Sequence, residues 1–226
     1  MKTFLFTIQE YIGLFIFGRH CAGCKKPGPA ICNRCLSLIP LASSTQHPDI
    51  YGLYNYGHPL VSHAVWNLKY RHAGQEAKLL SKRGAGLVNE IIAEHLQSEQ
   101  QQEITLVPVP QYKKKTASRG FNQSAVIADW FSQEIPESRV EDVLEKTKET
   151  LPQSHLADRK ARIRNIDGTM QTKNPPASGL DPKKIYIVVD DVTTTGATFL
   201  EAKRALQTAG AKHILCIALA HGYKRR

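Results

Sequence analysis

The sequence predicts an α/β protein built on an open, mainly parallel sheet flanked by helices, and two kinds of stretch lead to this prediction. Residues 104–109, 185–189 and 214–219 are short, largely apolar runs rich in β-branched side chains. Such runs are typical of strands buried on both faces, as in parallel sheets. Residues 199–209 carry apolar side chains three or four positions apart, which indicates a helix packed on the sheet.

The stretch after the strand at 185–189 is rich in carboxylate and hydroxyl groups. It begins with Asp190 and Asp191 and continues as TTTGAT over residues 193–198. Hydroxyls and unpaired N–H groups at the start of a helix suit a phosphate monoester. Two adjacent carboxylates would repel a phosphate, so they suit a vicinal diol or a phosphate-bound cation. We therefore expect a phosphorylated ribose here. The alternative is that the acids only cap a helix and the threonines form a solvated turn.

A second strand, loop and helix unit begins at residue 104, and its loop is basic. Pro108 and Pro110 mark the end of the strand, because proline removes a donor from a sheet ladder. Lys113–Lys115 and Arg119 follow, and apolar residues at helical spacing lie within 126–131. If the two loops lie side by side, the basic one would bind a second anion such as pyrophosphate. The alternative is a solvated lysine run.

Four of the five cysteines lie close together as two C-x2-C pairs, Cys21 with Cys24 and Cys32 with Cys35. Four thiolates on two tight turns are the usual ligands of a structural, tetrahedral zinc ion. Disulfides or an iron–sulfur cluster are the alternatives. Cys216 lies in an apolar run and is expected to be an inert core residue.

Composition is ordinary for a globular protein, but the charge is not balanced. Thirty Lys and Arg against twenty Asp and Glu leave a net charge of +10, which favours an anionic partner or substrate. The apolar start of the chain, residues 1–17, is interrupted by Gln9 and Glu10 and is too short to span a bilayer. We expect an amphipathic helix there, a cytoplasmic location and reduced thiols.

The remaining patterns predict the other elements and the division into domains. We expect a strand at 49–56, helices at 58–70 and 75–97, and an edge strand at 140–144. Residues 146–165 are polar and basic and suit a flexible lid over a ligand. Residues 1–45 are expected to form the N-terminal helix and zinc-binding module, and residues 46–226 the main domain.

Seven segments in the same order resemble the ComF family of competence-associated, phosphoribosyltransferase-like proteins. They are the four-cysteine segment, LKY at 68–70, PVP at 108–110, RGFNQ at 119–123, Thr150 with Gln153 and Leu156, Arg162 with Asn165, and residues 189–198. The chain departs from the family at Lys146 and Lys148, where arginines are usual, and at Met170, where an aromatic residue is common.

This resemblance implies a type I phosphoribosyltransferase fold behind a zinc-binding module. It also implies a site for 5-phosphoribosyl-1-pyrophosphate (PRPP) with Mg²⁺, in which Asp190 and Asp191 hold the ribose hydroxyls and residues 193–198 wrap the 5-phosphate. The residues implied to bind the ribose phosphate are Asp190, Asp191, Thr193, Thr194, Thr195, Gly196, Ala197 and Thr198. Those expected on the pyrophosphate side are Lys69, Pro110, Gln111 and Arg119.

Two functions fit these expectations. The first is an enzyme that transfers the phosphoribosyl group to an unidentified acceptor, although no general base stands out in the sequence. The second is a module that senses PRPP or a nucleotide while it binds single-stranded DNA, with Tyr112 and Phe121 as stacking platforms. The family implies a role in DNA uptake during natural transformation, and a competence helicase or another DNA-uptake protein as a possible partner.

Overall fold

The computed structural model describes residues 20–41, 47–71, 74–95, 103–112, 120–149, 165–173 and 177–222. The predicted helix at 1–17, the basic residues Lys113–Lys115 and Arg119, and residues 150–164 of the predicted lid lie outside these ranges. The chain divides into two compact units, residues 1–40 and 41–226. The predicted boundary at residue 45 and the functions of the two domains stay predictions.

The described part of the smaller unit, residues 20–40, is held together by turns. An antiparallel bridge joins His20 and Pro27, and the N–H of Cys21 donates to the carbonyl of Lys26 at 2.9 Å. Lys25 has a φ of 61°, a left-handed conformation that lets the chain turn back tightly after the first cysteine pair. A short helix, α1 (Asn33–Ser37), carries the last cysteine.

The larger unit contains both strands and helices. The elements in chain order are β1 (Ile50–Asn55), α2 (Pro59–Tyr70), α3 (Gln75–His95), β2 (Ile104–Pro108), α4 (Gln123–Ser132), β3 (Ser138–Val140), β4 (Leu144–Lys146), β5 (Met170–Thr172), β6 (Ile185–Thr193), α5 (Ala197–Thr208) and β7 (His213–His221). Five strands form one sheet in the order β1-β7-β6-β2-β3, and every neighbouring pair is parallel. The predicted α/β class and open parallel sheet are therefore confirmed.

The central strands are buried on both faces, as their apolar sequences predict. One apolar cluster joins Tyr186 and Val188 of β6 to Phe199 and Leu206 of α5. Because side chains alternate along a strand, Ile187 and Val189 lie on the other face, and neither is exposed to solvent. Helix α4 packs on β2, β3 and β6, and α3 packs on α4. This layering leaves the carboxyl ends of the strands open for a ligand.

Two strand predictions were wrong in their bounds. Strand β6 does not end at residue 189 but continues through both aspartates to Thr193, because β7 pairs with it along that whole length. The edge strand expected at 140–144 is split: β3 ends at Val140, and β4 pairs antiparallel with β5 in a separate two-stranded sheet. Leu144 and Met170 belong to the apolar cluster beside α5, which draws this hairpin away from the main sheet.

None of the helices in the described part of the chain is both long enough and apolar enough to cross a membrane.

Candidate functional site

A cavity of about 530 Å³ lies at the carboxyl ends of β6 and β2. It gathers every predicted PRPP-binding and pyrophosphate-side residue that lies in the described part of the chain. These are Lys69, Pro110, Gln111, Asp190, Asp191, Thr193, Thr194, Thr195, Gly196, Ala197 and Thr198. Arg119 falls outside the described residues. The strands that lead into the two loops, β2 and β6, are parallel neighbours, while residues 113–119 of the basic loop lie outside the described part of the chain.

Asp190 is held by hydrogen bonds from two directions. Its Oδ1 accepts from the Ser124 hydroxyl at 2.8 Å and from the Asp191 N–H at 2.9 Å. Burial, together with the neighbouring charge of Asp191, raises the pKa of Asp190 to about 7, although the hydrogen bonds and the charge of Lys69 act in the opposite direction. Asp190 can therefore change its protonation state near neutral pH.

Ser124 reaches Asp190 because the start of α4 is fixed by a helix cap. The Asn122 side chain accepts the N–H of Ser124 at 3.1 Å and donates to the carbonyl of Val109 at 3.0 Å. Asparagine is a favoured N-cap because its side-chain oxygen satisfies an N–H of the first turn. The cap thus ties the first turn of α4 to the end of β2 and brings Ser124 to the acids of β6.

Asp191 is paired with Lys69. The Lys69 ammonium, in the last turn of α2, lies 3.0 Å from Asp191 Oδ2. Burial alone would lower the pKa of Lys69, but the attraction of Asp191 outweighs it, so that the pKa of Lys69 is raised. The two neighbouring acids of β6 therefore differ: one is paired with a cation and the other is held by neutral donors.

The hydroxyl-rich loop lies between the end of β6 and the start of α5. Gly196 has a φ of 77°, a conformation that glycine adopts without strain, and a Cβ there would lie 3.1 Å from atoms of His47 and Ile50. Gly196 is also the N-cap of α5 and offers no side chain to it, while the N–H of Ala197 donates to Thr195 Oγ1 at 3.4 Å. The first turn of α5 lines the cavity with its N–H end, which suits an anion.

The end of β2 forms the facing wall. The N–H of Val109 donates to the carbonyl of Val189 at 2.9 Å, so the two strands stay together just past Pro108. Beyond this bond, the Gln111 amide donates to the side-chain carbonyl of Gln123. Pro110 and Gln111 are thereby fixed across the cavity from the acids.

Sequence reasoning missed several residues of this cavity. Ser124 was not singled out, and three aromatic residues, Tyr56, Trp66 and Tyr70, also line it. The signal for the last two was their spacing of four on a helix, on the side opposite its buried residues. Of the two predicted stacking platforms, Tyr112 lines the cavity and Phe121 is not among the lining residues.

In the smaller unit, the four predicted cysteines form a cluster in which all Sγ atoms lie within 4.8 Å of one another. The Sγ atoms of Cys24 and Cys32 are 3.8 Å apart. Zinc–sulfur bonds of about 2.3 Å in a tetrahedron place the sulfurs about 3.8 Å apart, which matches this distance. The four cysteines could therefore hold a zinc ion.

Backbone N–H groups add to this site. The N–H of Cys32 donates to Cys21 Sγ at 3.3 Å, and such bonds from Cys32 and Cys24 lower the pKa of Cys21 to about 6. Burial instead raises the pKa of Cys35 to about 12. At least one thiol of the cluster is thus prepared as a thiolate, the form that binds metal.

The chain is similar in sequence to several competence and DNA-utilization proteins. It is 27% identical over 194 residues to the DNA utilization protein YhgH of Salmonella typhimurium, which covers 84% of this chain and 79% of that protein. It is 28% identical over 117 residues to competence protein F of Haemophilus influenzae, 51% of this chain and only 49% of that relative. Competence protein ComFC of Streptococcus pneumoniae is 31% identical over 140 residues, 60% of this chain and 57% of that protein. No protein-family model matches the chain.

Two solved structures are similar to parts of this chain at low sequence identity. A hypoxanthine phosphoribosyltransferase from Staphylococcus aureus has a TM-score of 0.39 at 12% identity, covering 66% of this chain and 74% of that one. The allosteric regulatory enzyme of purine biosynthesis has a TM-score of 0.32 at 16% identity, covering 62% of this chain and 26% of that one. At scores this low, the fold assignment does not depend on them. The chain is therefore similar in sequence to competence protein F, ComFC and YhgH.

Proposed function

We propose that this protein binds PRPP, or a related ribose phosphate, with Mg²⁺ in the cavity at the ends of β6 and β2, and transfers its phosphoribosyl group to an acceptor in the handling of DNA. One observation carries the proposal. Two acids and a hydroxyl-rich helix start, all within residues 190–198, line the same cavity. A phosphorylated ribose matches both groups.

Each end of the ligand has a suitable partner. The diol donates hydrogen bonds to carboxylate oxygens, so Asp190 and Asp191 accept from it. The 5-phosphate accepts from the hydroxyls of Thr193–Thr195 and from the N–H end of α5. Carboxylates and phosphate oxygens are also the ligands that Mg²⁺ prefers, so Asp190 and Asp191 would hold the ion together with the ligand. When bound, the ion supplies charge neutralisation for the phosphates.

Transfer forms a bond from a nucleophile of the acceptor to C1 of the ribose and breaks the bond from C1 to pyrophosphate, which leaves as the anion. Pro110, Gln111 and Lys69 line the part of the cavity where we expect the pyrophosphate to lie. A positioned cation and fixed donors stabilise negative charge that develops on a leaving group. Lys69 would then share its ammonium between Asp191 and the pyrophosphate.

Isothermal titration calorimetry of PRPP, with and without Mg²⁺, tests the binding. We expect Asp190→Asn combined with Asp191→Asn to abolish PRPP binding, because the diol and the ion lose their charged acceptors. The matched control is Asp142→Asn combined with Asp181→Asn, which removes the same charge from exposed positions and leaves binding intact. Normal affinity in the first variant, with its fold intact by circular dichroism, would refute the site.

A second candidate function is supported by the names of the relatives and by the net charge of +10. In it, the protein senses PRPP or a nucleotide without turnover and binds single-stranded DNA through basic residues. Release of pyrophosphate from PRPP in the presence of candidate acceptors distinguishes the two. If no acceptor supports release, while DNA binding weakens steeply with salt and with Lys113–Lys115→Ala, the sensing function is correct.

A further inference from the structure

Two large aromatic side chains are exposed at the rim of the cavity. Trp66 is 44% exposed and Tyr70 is 59% exposed, and both line the cavity. Their ring centroids lie 5.6 Å apart with the planes tilted by 44°. The Arg71 guanidinium lies 5.0 Å from the centroid of the Trp66 ring, within the range of a cation–π contact.

The two aromatic side chains do not belong to the buried side of α2, so packing within the protein does not explain them. The buried side of α2 is formed by its other apolar residues, among them Val61, Val65 and Leu68, which are no more than 2% exposed. Trp66 and Tyr70 lie four residues apart and therefore one above the other on the helix surface. A tryptophan held open beside a cavity leaves a large apolar face that a flat ligand can cover.

The part of a ligand that would contact Trp66 and Tyr70 follows from the contact between α2 and Asp191. Lys69, between the two aromatic residues on α2, bonds Asp191 at 3.0 Å. In the proposed complex Asp191 accepts from the ribose diol, and the 2-hydroxyl is on the carbon next to C1. C1 therefore lies near the acids, and because Trp66 and Tyr70 line the same cavity as the acids, a base attached to C1 can reach the two rings.

From this geometry we propose that Trp66 and Tyr70 stack on a nucleobase, with Arg71 adding positive charge beside the tryptophan ring. The inference rests on the proposed function, since it takes Asp190 and Asp191 as the acceptors of the ribose diol. Base–aromatic stacking is tolerant of sequence because every base has a π-face. The base comes either from a free nucleotide, which also carries the ribose diol, or from a nucleic acid strand, which shares only the π-face of its bases.

A protein partner fits the rim less well. Docking of a protein on an apolar surface needs a contiguous patch of several hundred square ångströms. Here two rings are flanked by Lys69 and Arg71 and open onto a cavity whose floor carries carboxylates and hydroxyls. A planar, polar-edged aromatic ligand attached to a ribose phosphate matches this mixture of surfaces.

The test compares ligands with and without a base. Adenosine 5′-monophosphate, ribose 5-phosphate and a short oligothymidylate are titrated with Mg²⁺ against the full chain and its Trp66→Ala and Trp66→Phe variants. We expect Trp66→Ala to weaken binding of adenosine monophosphate about tenfold or more while ribose 5-phosphate binds unchanged. Trp66→Phe keeps a π-face and should retain most of the affinity.

Fluorescence supplies a second readout. The chain has two tryptophans, Trp66 and Trp130, so Trp130→Phe leaves Trp66 as the sole emitter. Stacking predicts that adenosine monophosphate quenches this emission and ribose 5-phosphate does not.

The outcomes separate the two proposals. If the unaltered chain binds no ribose 5-phosphate or PRPP, the proposed function fails and the stacking site fails with it. If it binds ribose 5-phosphate but Trp66→Ala changes neither nucleotide nor oligonucleotide affinity, the stacking site alone is wrong. If Trp66→Ala binds adenosine monophosphate more weakly than the unaltered chain does, the source of the base is a free nucleotide. If Trp66→Ala weakens binding of the oligothymidylate alone, the source is a nucleic acid strand.

Discussion

Asp190 provides the sharpest test of the electrostatics of the cavity, through the variant Asp190→Asn. Burial and the charge of Asp191 raise the pKa of Asp190 from 3.8 to about 7 in the folded protein. Asparagine has the shape of the protonated acid and keeps a carbonyl oxygen for the donors at Ser124 and Asp191. The substitution therefore removes the titratable charge with little change in hydrogen bonding to Oδ1.

The sign of the pH dependence follows from the direction of this shift. Because the folded-state pKa lies above the unfolded value, the folded protein holds a proton that the unfolded chain has released between about pH 4 and pH 7. The stability of the unaltered protein consequently falls as pH rises through this interval. Asp190→Asn has no such titration and does not lose this stability. The difference in free energy of unfolding between Asp190→Asn and the unaltered protein therefore grows from near zero at pH 4 to its full value above pH 7.

The size of the effect can be worked out from the same shift. About three pH units at about 1.36 kcal/mol each give an upper value of about 4 kcal/mol. Because Asp190 lines the cavity and is only partly buried, we expect about half of this value, about 2 kcal/mol, which corresponds to a rise in Tm of about 4–8 °C at pH 8 for a chain of this size.

Thermal unfolding followed by circular dichroism at pH 5 and pH 8 measures this difference. Asp191→Asn is the control: it removes the partner of Lys69 and should lower Tm at both pH values. A gain for Asp190→Asn of equal size at the two pH values would show that the acid does not titrate as described. A loss at pH 8 would show that its ionised form stabilises the fold.

Two further predictions concern the rest of the chain. Cys21→Ser should lower the zinc content of purified protein, measured by atomic absorption, because a tetrahedral site loses one of its four thiolates; an unchanged content would rule out the cluster as a zinc site. Glu201→Ala should lower stability by about 3 kcal/mol, since Glu201 is 5% exposed and accepts from the Met170 N–H at 2.9 Å and from Arg204 at 2.8 Å. Chemical denaturation measures the free energy of unfolding of each variant. The double variant, Glu201→Ala with Arg204→Ala, should lose less stability than the sum of the losses of the two single variants. Strictly additive losses would contradict the ion pair between Glu201 and Arg204.

Much of the cavity could be predicted because its residues are local in sequence. A buried strand, two acids, a hydroxyl-rich turn and a helix follow one another within residues 185–208, so their proximity is set by chain connectivity. The basic loop after β2 could be placed beside them only by assuming that the two strands are neighbours. The pairing of Ile104 with Ile185 confirms that assumption.

What could not be predicted depends on contacts between distant segments. Nothing in the sequence near Leu144 or Met170 indicates that these residues pair as β4 and β5, because each strand is only three residues long. The position of β4 and β5 is set by burial of Leu144 and Met170 against α5 and by the hydrogen bond that the Met170 N–H donates to the Glu201 carboxylate. Similarly, Ser124 and Asp190 are separated by 66 positions, and periodicity carries no information about such a pair.

The aromatic pair on α2 shows how a residue's role depends on which side of its element meets the site. By residue type alone, Trp66 and Tyr70 resemble core residues, since large aromatic side chains usually contribute to burial, and only their helical position opposite the buried residues of α2 distinguishes them. In the structure, the buried side of α2 is formed by other residues of the helix, and the Lys69 ammonium forms an ion pair with Asp191. The ion pair holds the last turn of α2 beside the acids, and Trp66 and Tyr70 line the same cavity. The same contact that holds Asp191 therefore also orients the surface on which we expect a base to stack.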